Sequence, residues 1–261
     1  MIVFPNAKIN LGLQVTAKRQ DGYHDIATIF YPIPCTDVLE AVKTDTFSFT
    51  SSGLTIDAPV EKNLCVKAWN VLNRDHHLTP VSLHLHKNIP MGAGLGGGSA
   101  DGAFTLILLN KLFGLELSTE KLISYALELG SDCPFFILNQ PVFATGRGEI
   151  LSPLQIPALA GKKLVLVNPG LHISTPWAFQ QLTPKMPDLN LTELVQQPVT
   201  EWKGRLDNDF ETVVFEKHPQ LEGIRQKLYN LGALFSGMTG TGSTIYGIFD
   251  VLPELSPQDF P

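Results

Sequence analysis

The chain has 261 residues, of which 44% are hydrophobic, enough for one large core or two ordinary ones. Its formal net charge is −6, from 19 basic and 25 acidic side chains, and no run of Lys and Arg forms a basic patch, so we expect no nucleic-acid partner. The apolar stretches fall far below the roughly 18 residues of a membrane span, and the N-terminus lacks the basic region of a signal peptide. Three widely spaced cysteines without a CxxC pair indicate reduced thiols. We therefore expect a cytoplasmic protein with no membrane partner.

The N-terminal part of the chain mixes strands and helices. Residues 8–15 alternate between apolar and polar or small side chains, which predicts a half-buried strand with Lys8 and Asn10 on its less apolar face. Asp21-Gly22 is a strong turn signal directly after that strand. The next predicted elements are a strand around Phe47 and Phe49, a helix over Leu64–Asn73 and a strand over Val81–His86.

Two helices are predicted in the middle of the chain. The first covers Ala103–Leu112 and is apolar enough to be buried, with Ser99 or Asp101 available as its N-cap. Ser118 is predicted to cap the second helix, which Gly130 ends as a C′ glycine.

A break in the pattern follows. Pro153, Pro157 and Gly161 precede a fresh strand over residues 164–167, so we predict a domain boundary that divides the chain into 1–158 and 159–261. The second part contains predicted helices over Pro176–Leu182, Asp207–Glu216 and Leu221–Leu231, and predicted strands over Leu234–Ser236 and Thr244–Phe249.

The segment Pro90–Asp101, which we call the glycine loop, is the most informative part of the sequence. Five of the seven residues from 92 to 98 are glycines, and they lie between a predicted strand and a predicted helix. Without Cβ atoms the backbone N–H groups can converge on an anion, and the helix adds its free N-terminal donors and the positive end of its dipole. The segment therefore predicts a phosphate-binding loop.

The kind of phosphate loop can be narrowed. A Walker loop needs a lysine after its last glycine, and Gly98 is followed by Ser99. Gly92, Gly94 and Gly97 fit the dinucleotide pattern GxGxxG, with Glu116 or Glu120 as the acidic partner, but the extra glycines and the position far from the N-terminus argue against it. A glycine-rich turn without a ligand is the remaining alternative, and each interior glycine would cost it about 1 kcal/mol.

Three segments resemble the motifs of the GHMP kinases, the family of galactokinase, homoserine kinase and mevalonate kinase. Pro5–Leu13 resembles the first motif, the glycine loop the second and Ser236–Thr244 the third, in the family's order and spacing. The resemblance implies an α+β fold of two lobes, with an N-terminal lobe like domain 2 of ribosomal protein S5 and a ferredoxin-like C-terminal lobe. It also implies that ATP and substrate bind in the cleft between the lobes, with Mg²⁺ as the metal.

Three further segments resemble one branch of that family. Asp21–Asp25, Gly130–Phe136 and Asn208–Glu211 are similar to the kinases whose acceptor is a methylerythritol that carries a cytidyl diphosphate, on the non-mevalonate route to isoprenoid precursors. This implies transfer of the γ-phosphoryl group of ATP to the 2-hydroxyl of that small molecule. A sibling kinase acting on homoserine, mevalonate or a sugar, and a non-catalytic nucleotide-binding regulator of the same fold, stay open as alternatives.

The resemblance implies two catalytic residues, Lys8 and Asp132. An ammonium beside a carboxylate keeps the acid ionised and stabilises charge on the attacking oxygen. Asp132 could instead be an ordinary turn residue after a helix, and Lys8 a solvated strand lysine. The residues implied for ATP are Pro90, Met91, Gly92, Ala93, Gly94, Leu95, Gly96, Gly97, Gly98 and Ser99, with the Ser99 hydroxyl also a candidate Mg²⁺ ligand.

A cytosine-recognition pair is implied for Tyr23 and His24, an aromatic face for stacking and an imidazole for the polar edge of the base. By the residues alone the same pair could be the tip of a hairpin. Phe179 matches the position expected to cover the other side of the base, although Trp177 is an equally good aromatic. The substrate residues implied are Asn10, Tyr23, His24, Phe179, Gly240 and Thr241.

Two histidine pairs stay outside this scheme. His84 and His86 share a strand face without a third ligand nearby, so we do not expect a metal site there. His76 and His77 lie at a predicted helix end, where they favour the dipole if charged.

Overall fold

The computed structural model describes residues 1–186, 189–255 and 260. In chain order, the strands in these ranges are β1 (Ile2–Val3), β2 (Asn6–Lys18), β3 (His24–Thr36), β4 (Val38–Lys43), β5 (Ser48–Gly53), β6 (Val81–Lys87), β7 (Val142–Thr145), β8 (Ile150–Pro153), β9 (Lys163–Val167), β10 (Phe235–Met238) and β11 (Ile245–Phe249). The α-helices are α1 (Leu64–His76), α2 (Gly97–Phe113), α3 (Thr119–Leu129), α4 (Cys133–Leu138), α5 (Thr175–Gln180), α6 (Leu191–Leu194), α7 (Phe210–Lys217) and α8 (Pro219–Asn230). The α+β class predicted from the sequence is confirmed.

The chain forms two compact units, each built from several segments. The first unit contains Met1–Lys8, Pro32–Met91 and Gly96–Gln140, and the second contains Ile9–Tyr31, Gly92–Leu95 and Pro141–Pro261. The predicted division of the chain into 1–158 and 159–261 stays a prediction. The two compact units are not consecutive parts of the chain, since β2, β3 and the glycine loop each contribute residues to both.

The first unit packs helices against a mixed sheet with the strand order β1-β4-β6-β5. Its β4 and β6 pair antiparallel, whereas β5 and β6 pair parallel. Alternate residues of β6 are fully buried, Val81, Leu83 and Leu85 among them, and helix α2 packs on β4 and on α1, α3 and α4. The buried helix α2 follows from its apolar sequence, as predicted.

The second unit contains the antiparallel sheet β10-β11-β9, against which α8 packs. Its hydrophobic core joins that sheet to α7, α8 and the middle of β2. The core residues are Leu13, Val15, Ile26, Val165, Val167, Ile173, Ala178, Phe210, Val214, Phe215, Leu221, Ile224, Leu228, Met238, Ile245 and Phe249.

Two local predictions, on the burial of β2 and on the cap of α2, were wrong. Strand β2 is buried on both faces from Asn6 to Leu13, not half-buried; in the second unit, Leu191 and Leu206 cover Gly12 while Leu13 joins the core on the other face. Helix α2 begins at Gly97 with Gly96 as N-cap and no side-chain cap, so neither Ser99 nor Asp101 caps it.

The cap of the next helix was predicted correctly at one end only. Ser118 caps α3 by accepting a hydrogen bond from the Lys121 N–H, as predicted. Gly130 ends that helix, but its φ of 165° is extended backbone and not the left-handed conformation of a C′ glycine.

All three cysteines carry free thiols, and Cys65 and Cys133 are buried. Across the described ranges, no helix is both long enough and apolar enough to cross a membrane.

Candidate active site

The glycine loop has the backbone that its sequence predicts. Gly92, Gly94 and Gly96 have φ values of 65°, 79° and 72°, a left-handed conformation that side chains with a Cβ rarely adopt. Helix α2 begins directly after the third of these residues, at Gly97. In the first unit the loop therefore ends in a helix N-terminus with free N–H donors and a positive dipole end, which favour a phosphate.

Lys8 lies against the end of the glycine loop. A Cβ added to Gly96 would lie 3.1 Å from Cγ and 3.2 Å from Cε of Lys8, and 2.9 Å from Cζ of Phe136. A side chain at Gly96 would therefore displace either the lysine or the aromatic ring. The lysine itself is only 4% exposed, so the alternative of a solvated strand lysine is excluded.

Lys8 and Asp132 interact electrostatically in the first unit. Burial lowers the pKa of the Lys8 ammonium, and the Asp132 carboxylate opposes that shift. Because desolvation is the larger cause, the net effect favours loss of the lysine proton, and Asp132 opposes that loss.

Asp132 precedes helix α4 and is half-buried. It occupies the N-cap position, yet its side chain makes no capping hydrogen bond. Burial raises the pKa of the adjacent Cys133 thiol to about 12, and the Ser99 hydroxyl of α2 opposes that shift. Ser99, at the start of α2, therefore lies near Cys133, the first residue of α4, in the first unit.

A buried polar network in the second unit links residues from all three motifs. The backbone N–H of Asn10 donates to Oγ1 of Thr239 over 3.0 Å, and the Asn10 side-chain amide donates to Oγ1 of Thr28 over 2.9 Å. The Thr239 hydroxyl lies 2.9 Å from the carbonyl oxygen of Gly94. Asn10 is 1% exposed, so its predicted contact with substrate stays a prediction.

Gly94 and the third motif pack backbone against backbone. A Cβ added to Gly94 would lie 2.0 Å from the carbonyl oxygen of Thr239, and one added to Gly240 would lie 3.1 Å from Cα of Gly94. Glycine is therefore required at position 94 for close approach as well as for its positive φ. Thr241, in the same loop, hydrogen-bonds Thr175 over 3.1 Å through the two hydroxyl oxygens.

Two residues that we did not predict for the site hold the third motif in place. The Asn208 side-chain amide donates to the carbonyl oxygens of Met238 and Gly240, over 2.9 and 2.8 Å. The Glu211 carboxylate accepts from the Met238 N–H over 2.6 Å and pairs with Arg225 over 2.6 Å. Both lie in segment 208–211, which resembles the family. That resemblance is the feature of the sequence that could have identified these two residues.

The aromatic residues implied for base recognition meet in the second unit. The rings of His24 and Phe179 stack with their centroids 4.9 Å apart and an interplanar angle of 20°. Trp177 packs instead under the Lys217 ammonium, 3.9 Å from the ring centroid. Of the two aromatics that the sequence left open, Phe179 is therefore the one that contacts His24.

Tyr23 is exposed at the turn between β2 and β3. Its carbonyl oxygen accepts from the Arg19 N–H over 2.8 Å, so the hairpin tip expected after Asp21-Gly22 is present. Tyr23 is 56% exposed, and the Arg147 guanidinium lies 5.1 Å from its ring centroid. Tyr23 can therefore lie at a hairpin tip and still expose part of its ring for stacking.

Within the ranges that the structure describes, no group of three or more His, Cys, Asp and Glu side chains could hold a metal ion by itself. His84 and His86 are occupied by hydrogen bonds to hydroxyls of the neighbouring strand, Thr50 and Ser52, over 2.8 and 2.9 Å.

Comparison with known proteins agrees with this geometry. The family model described as "GHMP kinases N terminal domain" matches residues 63–145, and "GHMP kinases C terminal" matches residues 191–255. The chain belongs to the GHMP kinase family.

Curated relatives narrow the comparison. The chain is 51% identical over 250 residues to a protein of Parabacteroides distasonis named 4-diphosphocytidyl-2-C-methyl-D-erythritol kinase, covering 96% of this chain and 92% of that one. It is 50% identical over 264 residues to a Bacteroides fragilis protein of the same name, covering 100% of this chain and 96% of the other.

Solved structures agree. A crystal structure of 4-(cytidine 5′-diphospho)-2C-methyl-D-erythritol kinase matches with a TM-score of 0.80 and 32% identity, covering 95% of this chain and 90% of that chain. The mevalonate kinase of Methanococcus jannaschii matches with a TM-score of 0.68 and 12% identity, over 95% of this chain and 90% of that one, which shows a shared fold.

Proposed function

We propose that this protein transfers the γ-phosphoryl group of ATP to the 2-hydroxyl of 4-diphosphocytidyl-2-C-methyl-D-erythritol. The proposal rests on the likeness to relatives of that name over nearly the whole chain. The observation that carries the chemistry is the buried Lys8, which packs on Gly96 at the end of the glycine loop and interacts with Asp132. A lysine, a carboxylate and a phosphate loop are the parts that phosphoryl transfer requires.

Asp132 is the residue that receives the proton. As the acceptor oxygen forms its bond to the γ-phosphorus, the bond from that phosphorus to the β–γ bridging oxygen breaks and ADP leaves. The proton of the acceptor hydroxyl passes to the Asp132 carboxylate. This carboxylate can accept the proton because it makes no capping hydrogen bond. Lys8 stabilises the negative charge on the attacking oxygen.

The backbone N–H groups of the glycine loop bind the phosphates. The first backbone N–H groups of α2, those of Gly97 and Gly98 among them, have no carbonyl partner within the helix. They can therefore bind an anion without a conformational change. The other residues that we assign to ATP, Pro90 to Leu95, supply the rest of the loop, and its glycines allow the phosphate oxygens to approach closely.

Mg²⁺ fits the oxygen donors of the first unit. This ion is usually held by one or two carboxylates together with substrate phosphates and not by an all-protein cage, which suits the absence of a three-residue cluster in the described ranges. The Ser99 hydroxyl is the oxygen ligand that we assign to it from this chain, and the phosphates would supply others. Bound there, the ion would neutralise charge on the phosphates.

The second unit carries recognition of the cytidyl group. Tyr23 offers an exposed ring for stacking, and the His24 imidazole reads the polar edge of the base while Phe179 supports the imidazole from behind. Burial lowers the pKa of His24, and the nearby Lys18 acts in the same direction, so the ring is neutral at pH 7 and has one donor and one acceptor nitrogen. Gly240 and Thr241 complete the proposed substrate contacts.

The test is an assay that couples ADP release to a visible signal, with Mg-ATP and four acceptors. These are 4-diphosphocytidyl-2-C-methyl-D-erythritol, methylerythritol phosphate without the cytidyl group, homoserine and mevalonate. We expect turnover with the cytidyl compound alone. Turnover with one of the small acceptors would contradict the proposed substrate but would still support phosphoryl transfer from ATP. Binding of ATP without turnover of any acceptor would favour a non-catalytic regulator.

A further inference from the structure

A lysine that the proposed mechanism does not use lies buried beneath the glycine loop. Lys87, the last residue of β6, is completely buried, and its Nζ donates to Oδ2 of Asp37 and, over 2.8 Å, to Oδ2 of Asp101. Both carboxylates are also buried. Charges are placed so deep only when they are paired, and removal of one partner leaves the others uncompensated. All three residues belong to the first unit.

One end of this cluster holds the chain before the loop. The Asp37 carboxylate accepts hydrogen bonds through Oδ1 from the backbone N–H groups of Asn88 and Ile89, over 2.6 and 2.8 Å. These two residues connect Lys87 to Pro90, where the glycine loop begins. Asp37 therefore fixes the direction in which the chain leaves β6.

The other end of the cluster holds the C-terminal part of the glycine loop, where helix α2 begins. Asp101 and Gly97 are four residues apart on helix α2 and thus share one face of it. Lys87 contacts both: it pairs with Asp101, and a Cβ added to Gly97 would lie 2.9 Å from its Nζ. A single ammonium consequently contacts the first turn of the helix and the turn that follows.

Asp101 adds an indication that the cluster does more than stabilise the fold. Its second oxygen, Oδ1, is buried without a hydrogen-bond partner among the described residues. An unsatisfied buried oxygen costs stability. Arrangements of this kind are found where a geometry serves function at some expense of stability.

We propose that Lys87 is a positioning residue for ATP, which acts with Asp37 and Asp101 to fix the two flanks of the glycine loop. Because the ammonium is buried, it does not touch the nucleotide. It aligns the N–H donors at the start of α2 by holding that helix to the end of β6. The inference rests on the proposed function, since it concerns the ATP loop of that reaction.

The experiment compares Lys87→Met, which keeps the length of the side chain and removes its charge, with Asp101→Asn, which keeps an oxygen that can accept from Lys87. The control is Arg74→Met, which breaks the exposed pair with Glu128 in the same unit. For each variant we would measure kcat, the KM for ATP, the KM for the acceptor and the rise in Tm on addition of ATP.

We expect Lys87→Met to raise the KM for ATP at least about tenfold, equivalent to about 1.4 kcal/mol, and to reduce the ATP-induced rise in Tm. The KM for the acceptor should change less than about twofold, because a purely structural defect would move both constants. Asp101→Asn should show a smaller rise in the KM for ATP, and Arg74→Met none.

A folded Lys87→Met protein with an unchanged KM for ATP would overturn the proposal. If that variant does not fold, the double variant Lys87→Met/Asp101→Asn, which removes one charge of each sign, decides in its place together with Asp101→Asn. Unchanged ATP affinity in both would again overturn it. A wild-type protein that binds ATP but phosphorylates no acceptor would contradict the proposed function alone, since the rise in Tm still reports on Lys87.

Discussion

Gly96 packs its backbone against the side chain of Lys8, so closely that a Cβ would lie 3.1 Å from Cγ of the lysine. The N-cap of helix α2 is therefore in direct contact with the side chain that carries the proposed catalytic ammonium, within the first unit. We therefore expect binding of phosphate and stabilisation of the attacking oxygen to be coupled sterically, so that a change in one affects the other.

This contact predicts the effect of Gly96→Ala. The methyl group would displace Lys8 or Phe136, and we expect kcat to fall at least about tenfold in addition to a loss of about 1 kcal/mol in stability from the positive φ. The matched control is Gly114→Ala. Gly114 has a similar φ of 61° and nothing within 4 Å of an added Cβ, so that variant should lose stability and keep kcat. Equal kcat in the two variants would refute the steric coupling.

Asp132→Asn is expected to lower kcat by about two orders of magnitude, the usual contribution of a general base, and to leave the KM for ATP nearly unchanged. The amide cannot take up the proton of the acceptor hydroxyl. Steady-state kinetics at saturating ATP measure this effect. Asp250→Asn, at an exposed carboxylate paired with Lys162, serves as control, and full activity in Asp132→Asn would remove this residue from the mechanism.

Phe179→Leu and Trp177→Leu separate two neighbouring aromatics. Both pack against the core of the second unit, so both should lose stability. Only Phe179 stacks on His24, and such ring pairs contribute about 0.5–1.5 kcal/mol. We expect Phe179→Leu to raise the KM for the cytidyl acceptor about three- to tenfold and Trp177→Leu to leave it unchanged. The reverse order would reassign the support of the imidazole to Trp177.

Glu211 predicts a dependence of stability on pH. Burial raises its pKa to about 7, against the opposing effects of the Met238 N–H and Arg225. Because the folded state then binds the proton more tightly than the unfolded state, the free energy of unfolding falls as the pH rises from about 4.5 to 7. The full penalty is present above pH 7.

Glu211→Gln should therefore flatten the fall in the free energy of unfolding over this range, as measured by denaturant titration between pH 4.5 and 8. Asp101 titrates in the same region and leaves a residual slope in both proteins. The control is Glu222→Gln, because Glu222 is exposed and pairs with the same Arg225 over 3.3 Å. Equal slopes for Glu211→Gln and wild type would contradict the assignment.

Local patterns predicted most of the elements that carry the site. The strand that precedes the glycine loop, the helix that follows it and the cap at Ser118 depend on residues close together in sequence, and each was confirmed. The start of α2 could not be predicted from a side chain, because Gly96, its N-cap, has none. Alternation in β2 suggested one buried face, and covering of the second face depends on residues almost 200 positions away, such as Leu206.

Glycine spacing and short motifs identified the family and predicted the phosphate loop and the pair Lys8 and Asp132, because such patterns are local and carry their chemistry with them. The tertiary structure alone decided that Phe179 and not Trp177 supports His24, that Asn208 and Glu211 hold the third motif, and that Lys87 joins Asp37 to Asp101. These contacts connect residues far apart in the chain. Whether such side chains meet depends on the packing of whole elements, which periodicity within a single segment does not specify.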